Sequence, residues 1–135
     1  QGVPEMTDGR LILTSLRRAL DSLVGVLGIE KDAIVRDATI QRFEYTYELA
    51  WKMMKRHLEW SGESNVDGLT RRELFREAAR IGLIENAEAW FEFHQARNET
   101  AHTYDEAKAE EVYATAAVFA PEAMKLLRAL ERSHG

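Results

Sequence analysis

No cysteine occurs among the 135 residues, which removes disulfides and thiolate metal sites and fits a reducing, cytoplasmic setting. Prolines number two and glycines eight, and the glycines fall at breaks between apolar stretches, which suits helix ends better than strand turns. No apolar run approaches the roughly 20 residues of a membrane span, and the N-terminus lacks the basic-then-apolar pattern of a signal peptide. A chain acting in the cytoplasm, with no membrane partner, is the expectation. No glycine-rich phosphate loop is present, nor any serine or cysteine nucleophile constellation, so the chain is expected to carry no cofactor and to leave ATP chemistry to a partner. Positive charge is in deficit: 18 Lys plus Arg stand against 23 Asp plus Glu, a net charge of −5, which argues against a broad electrostatic grip on nucleic acid. A local basic site stays open. The doublets Arg17-Arg18 and Arg71-Arg72 and the run Lys52, Lys55, Arg56 offer one, and also read as the solvated faces of helices.

What is present is helical. Apolar residues make up 45% and charged residues 30%, the balance of a globular chain, and the length suits one domain over residues 1–135. Residues 1–7 are expected to be disordered or partly tag-derived, since Gln1-Gly2 precedes the first methionine, Met6. A first helix is expected over about residues 8–27, with Leu13, Leu16, Leu20, Leu23, Val24 and Leu27 on one stripe and Gly28 as its stop. A second should start near Asp32 and end before Gly62, carrying Ile34, Val35, Ala38, Phe43, Tyr47, Ala50, Trp51, Met54 and Leu58. Thr70-Arg71-Arg72-Glu73 has the spacing of a capping box and opens a third helix that Gly82 ends. Asn86 caps a fourth, with Ala89, Trp90, Phe93 and Ala96 inward. Asp105 caps a last helix reaching about Arg132, in which Pro121 should introduce a kink. Helices with short connections and no strand pattern predict an all-α, antiparallel up-and-down bundle of four to five helices.

The fourth helix runs into the most chemical stretch of the chain, Arg97-Asn98-Glu99-Thr100-Ala101-His102-Thr103-Tyr104. Arg97 can bind a phosphate through a two-pronged hydrogen bond, and His102 can carry a proton at neutral pH. On a continuous helix, positions five apart point about 140° away from each other, so the two share a face only if the helix ends between them. Thr100, Thr103 and Asp105 predict such an ending. Even then one subunit offers half of a phosphate site, and a second copy across a two-fold axis would complete it.

The phrase Arg42-Phe43-Glu44-Tyr45-Thr46-Tyr47-Glu48-Leu49-Ala50-Trp51-Lys52, followed by Arg76-Glu77-Ala78, Ile81-Gly82-Leu83-Ile84, Arg97-Asn98 and His102-Thr103-Tyr104-Asp105, resembles the nucleotidyltransferase substrate-binding proteins of the HEPN superfamily, which include the HepT-type toxins. The resemblance covers roughly residues 10 to 132. It implies a helical bundle that dimerises with the motif at the interface and is made beside a minimal nucleotidyltransferase that serves as antitoxin. It also implies a metal-independent endoribonuclease acting on RNA, with Arg97 and His102 catalytic and Asn98 in support. The Arg-x4-His-x-Tyr version of the motif implies AMP transfer to Tyr104 as the silencing step. The alternative carried by the family's name is a non-catalytic accessory subunit of the nucleotidyltransferase.

Blander readings stand beside these. His102 alone is also a helix-end residue favoured by the helix dipole. Tyr45, Tyr47 and Trp51 read as core or dimer interface rather than a base-stacking platform. His57 and His134 read as incidental, and His94, on the face of Arg97 and Asn98, as an RNA contact or a surface accident. Glu44 and Glu48, one turn apart, read as solvated charges or salt-bridge partners of Arg42, Lys52 or nearby chains, and Glu99 as facing solvent or pairing with a cation. A metal site drawn from His94, Glu99 and His102 has no recognised ligand spacing, so no metal is expected.

Overall fold

The computed structural model describes residues 6–7 and 9–135. Among them are five α-helices: α1 (Thr14–Leu27), α2 (Ala33–Trp60), α3 (Arg71–Arg80), α4 (Ala87–Glu99) and α5 (Glu106–His134). Two short strands, β1 (Met6–Thr7) and β2 (Arg10–Leu11), pair antiparallel ahead of them. The expected start of α1 near residue 8 is corrected: the helix begins at Thr14, and Asp8 lies outside the described residues. Leu11 and Leu13 are both buried with a less buried residue between them, an alternation that fits extended chain rather than a helical turn. Of the segment expected to be disordered or tag-derived, residues 1–5 lie outside the described residues, while Met6 and Thr7 form β1.

The other helix starts are set by local hydrogen bonds. Asp32 accepts from the Val35 amide at 2.7 Å, and Asp105 accepts from the Lys108 amide at 3.0 Å. Thr70 and Glu73 close a reciprocal capping box, and Asn86 Oδ1 accepts from the amides of Glu88 and Ala89. Gly62 and Gly82 take positive φ, 94° and 82°, just past α2 and α3, a conformation that costs a side-chain-bearing residue more. α5 continues through Pro121 without a break.

Consecutive long helices alternate in direction, with α3 set into the connection between α2 and α4. α2 and α5 therefore run the same way: Arg36 meets Glu106 and Glu110 at their starts, and His57 meets His134 at their ends. The core between them is aromatic. Phe119 of α5 receives Phe43, Trp90 and Phe93 edge-on at centroid distances of 5.1, 5.5 and 5.2 Å. Burying side chains of this size contributes about 1.5–3 kcal/mol each, so this cluster fixes α4 against α2 and α5 and with it the position of the motif. Two expected inward positions are corrected: Val24 of α1 is 45% exposed, and Ile34 is 80% exposed beside the α2 N-cap.

Candidate active site

Arg97 lies in the last turn of α4, and the chain then tightens into a 3-10 turn, Thr100–His102, before the Asp105 cap opens α5. The helix thus ends between the two candidate residues, as the spacing requires. Thr100 Oγ1 donates to the Arg97 carbonyl at 2.8 Å and accepts from Arg97 Nη1 at 3.3 Å, closing the end of α4 with its own side chain. Thr103 Oγ1 donates to the Thr100 carbonyl and tightens the same joint.

Arg97 is held from α2. Its Nε donates to Glu48 Oε2 at 3.0 Å, and its Nη1 lies 3.4 Å from Glu44 Oε2. Glu48 is itself fixed, because its other oxygen accepts from Trp51 Nε1 at 3.0 Å. The carboxylates read in the sequence as solvated charges or salt-bridge partners are a clamp on Arg97, and neither Arg42 nor Lys52 is their partner. Arg42 donates instead to the Ser22 carbonyl, and Lys52 sits 5.9 Å from the Trp51 ring centroid. Arg97 Nη2 has no hydrogen-bond partner among the described residues, so one edge of the guanidinium stays open.

His102 and Asn98 are exposed, and neither side chain makes a hydrogen bond among the described residues. The His102 ring meets the Tyr104 ring edge-on at 6.3 Å, and Tyr104 is 85% exposed. Glu99 is bound by Lys108 Nζ at 3.1 Å and by Gln95, and the Lys108 hydrogen bond draws its carboxyl below the usual range. The joint therefore presents one oriented arginine, one unengaged imidazole and one projecting phenol. Among the described residues no group of three or more histidines and carboxylates is arranged to hold a metal ion.

Beside the clamp lies a second polar network that the sequence marked only in parts. Tyr47 is fully buried, and its hydroxyl lies 2.8 Å from His94 Nδ1 and accepts from Arg71 Nη1 at 3.3 Å. Burial pushes the Tyr47 phenol up to about 12, so it stays protonated. Burial, reinforced by the Arg71 charge, lowers the His94 imidazole. Tyr45 is the exposed member of the aromatic trio and shares a 2.7 Å hydrogen bond with Ser22.

The family model for nucleotidyltransferase substrate binding protein like domains matches residues 11–132, nearly the whole bundle and the motif with it. The chain belongs to this nucleotidyltransferase substrate-binding family. A curated relative, the probable ribonuclease HepT of Haemophilus influenzae, is 39% identical over 106 residues, covering 77% of this chain and 72% of its own. A solved Haemophilus influenzae structure, described as the fold of a substrate binding domain of a nucleotidyltransferase, superposes with a TM-score of 0.81 at 33% identity, covering 89% of this chain and 99% of that one. A crystal structure from Thermus thermophilus superposes with a TM-score of 0.73 at 29% identity, covering 85% of this chain and 98% of that one. The family's helical fold is thus shared along nearly the full length of both structures. No helix of the described residues is long and apolar enough to cross a membrane.

Proposed function

We propose that this member of the substrate-binding family is a HepT-like toxin, a metal-independent endoribonuclease that works as a homodimer. The observation that carries the reading is the pairing at one joint of a clamped arginine with a free guanidinium edge and an exposed, unbonded histidine. RNA cleavage needs a base to take the 2′-hydroxyl proton, positive charge on the phosphorane and an acid to protonate the departing 5′ oxygen. The 2′ oxygen forms its bond to phosphorus as the bond to the 5′ oxygen breaks. Two His102 side chains facing across a two-fold axis serve as base and acid, and two Arg97 side chains carry the charge, with Asn98 orienting the phosphate. The ribonuclease name of the Haemophilus influenzae relative supports the same chemistry.

Silencing falls to a cognate minimal nucleotidyltransferase acting as antitoxin. The phenol of Tyr104, 85% exposed, enters that partner's site. Its oxygen bonds to the α-phosphorus of ATP, pyrophosphate leaves and the phenolic proton is lost. The added bulk and negative charge beside His102 then oppose an RNA phosphate. A second reading, a non-catalytic accessory subunit, draws on the same clamp, since an arginine held by two carboxylates is also a structural residue.

The deciding measurement is RNA cleavage by wild type and His102→Ala in the presence of a chelator. Cleavage by wild type alone is the expected result, and equal activity returns the chain to the accessory role. Light scattering should show a dimer at micromolar concentration. After co-expression with the nucleotidyltransferase, mass spectrometry should place AMP on Tyr104, and Tyr104→Phe should stay active and escape silencing. An adduct confined to Tyr45, Tyr47 or Tyr113 defeats the silencing mechanism.

A further inference from the structure

One turn before Arg97 on the same face of α4, His94 opens into a cavity of about 260 Å³ between α3 and α4. Its walls are Arg71, Arg72 and Phe75 from α3, and Phe91, Glu92, His94 and Gln95 from α4. The electrostatics differ from those of the neighbouring clamp. Arg97 is neutralised by two glutamates, whereas Arg71 and Arg72 form no ion pair among the described residues, and neither does Arg76 close by. These three cations rest on aromatic faces instead. The Arg71 guanidinium lies 3.5 Å from the Trp51 centroid, and those of Arg72 and Arg76 lie 4.4 and 5.4 Å from the Phe91 centroid. In a chain of net charge −5, three cations without ion pairs set against one lining carboxylate, Glu92, leave a local excess of positive charge around the cavity.

The donors are also oriented. The Tyr47 hydroxyl accepts from Arg71 Nη1 and lies 2.8 Å from His94 Nδ1, to which its own proton can be donated. With that donation a neutral His94 carries its proton on Nε2, an N–H donor for the cavity that Arg71 and Arg72 also line. Trp51 links cavity and motif: Arg71 stacks on its ring while its indole N–H holds Glu48, the residue that clamps Arg97. A strand lying at Arg97 and His102 would meet the cavity next along α4. The volume is slightly below the roughly 300 Å³ where drug-sized pockets begin, a size for one phosphate with part of its nucleoside rather than for a folded partner.

We infer that the α3–α4 cavity is a subsite for a backbone phosphate of single-stranded RNA flanking the bond cut at Arg97 and His102, with Arg71, Arg72 and His94 donating to the phosphate oxygens. The inference rests on the ribonuclease reading for the identity of the strand. Its binding residues are separate from the catalytic pair. Glu92 also lines the cavity; its negative charge excludes it from holding the phosphate and suits it to accept from a base amino group.

The test measures binding of a short, fluorescently labelled single-stranded RNA to full-length His102→Ala protein, in which the strand stays intact. Arg72→Gln is the main variant, because Arg72 is exposed and forms no ion pair or side-chain hydrogen bond among the described residues, so its loss should leave the fold intact. Arg72→Gln and His94→Gln should each weaken binding by about tenfold, the loss of one hydrogen bond to a charged phosphate. Arg72→Gln should also lower the slope of log affinity against log salt by about one phosphate contact. Arg18→Gln, removing an exposed arginine of α1 that forms no ion pair among the described residues, should bind as the parent does. Equal binding by Arg72→Gln and Arg18→Gln, with wild-type protein still cleaving RNA, overturns the subsite and leaves the ribonuclease reading standing. Absence of RNA binding by the parent overturns both. Binding of AMP but not RNA, lost in Arg72→Gln, overturns RNA as the occupant and assigns a free nucleotide, whereas unchanged RNA affinity with lost capture of the nucleotidyltransferase overturns it in favour of a protein contact.

Discussion

The bundle carries histidines at both ends of the α2–α5 pair, and the two ends treat them oppositely. At the end where both helices finish, His57 and His134 are buried, 2.9 Å apart between Nδ1 and Nε2, against the ring of Trp60. His134 Nδ1 accepts from the Leu11 amide at 3.1 Å, so its proton sits on Nε2 and is donated to His57 Nδ1. Every nitrogen in that chain of hydrogen bonds has an assigned role, and an added proton would have to break one. At the end where α4 turns into α5, His102 has no such partner and faces solvent beside Tyr104. The same side chain is a structural connector where the chain saturates it and a chemical group where the chain leaves it free. The reading of His57 and His134 as incidental is corrected by this contrast: they tie the N-terminal strand and the last helix to α2.

The largest expected difference is in rate. His102→Ala and Arg97→Ala should each lower RNA cleavage by roughly 100- to 10,000-fold with little change in melting temperature, because the proposed acid–base group and the proposed phosphorane-binding charge both act on the transition state. His134→Ala should do the reverse. It strands the buried Leu11 amide and costs about 1–3 kcal/mol of stability, with the cleavage rate of the folded protein unchanged. A thermal melt and a rate assay on these three variants and the wild type test the comparison, and it breaks if His134→Ala is stable but inactive.

A smaller effect separates the two ends by pH. Burial lowers the imidazoles of His57 and His134 from their ordinary value of 6.5, with His57 and Arg10 adding to the shift on His134. His94 is lowered in the same direction. The unfolded chain takes up protons below that value while the folded chain resists, so the stabilisation is complete above about pH 6.5 and declines as pH falls toward the depressed values. Melting temperature should therefore drop between about pH 7 and pH 5, and the drop should shrink when His57 and His134 are both replaced by Gln. An undiminished drop would shift the cause to His94. The acidic partners Glu99, Glu106 and Glu110, drawn below their ordinary 4.5 by Lys108, Arg36 and Lys31, act only at lower pH.

The smallest expected effect is at Glu99. Its pairing with Lys108 is half-exposed, so Glu99→Ala should cost under about 1 kcal/mol and leave cleavage within a few-fold of wild type. A loss comparable to that of His102→Ala would move Glu99 into the catalytic machinery and the comparison would need redrawing.

Legibility followed the range of the interaction. The caps at Asp32, Thr70, Asn86 and Asp105 were readable because donor and acceptor sit two or three residues apart. The inward face of α4 was readable because Trp90, Phe93 and Ala96 repeat with the helical period. The start of α1 was misread because Leu11 and Leu13 continue the leucine stripe into extended chain, and the exposure of Ile34 because an apolar residue in a first turn has no neighbour to bury it.

The sequence by itself determined the helices, the break after Arg97 and the reactive residue types at that break, since each depends on groups within one or two turns. Only the tertiary structure decided which of them were free to act. Glu48 reaches Arg97 across 49 residues, Tyr47 reaches His94 across 47, and His134 reaches the Leu11 amide across 123. Whether a histidine is saturated or open, or an arginine is clamped or bare, depends on which helix packs beside it, and packing is set by the shape of the whole aromatic core rather than by any local spacing.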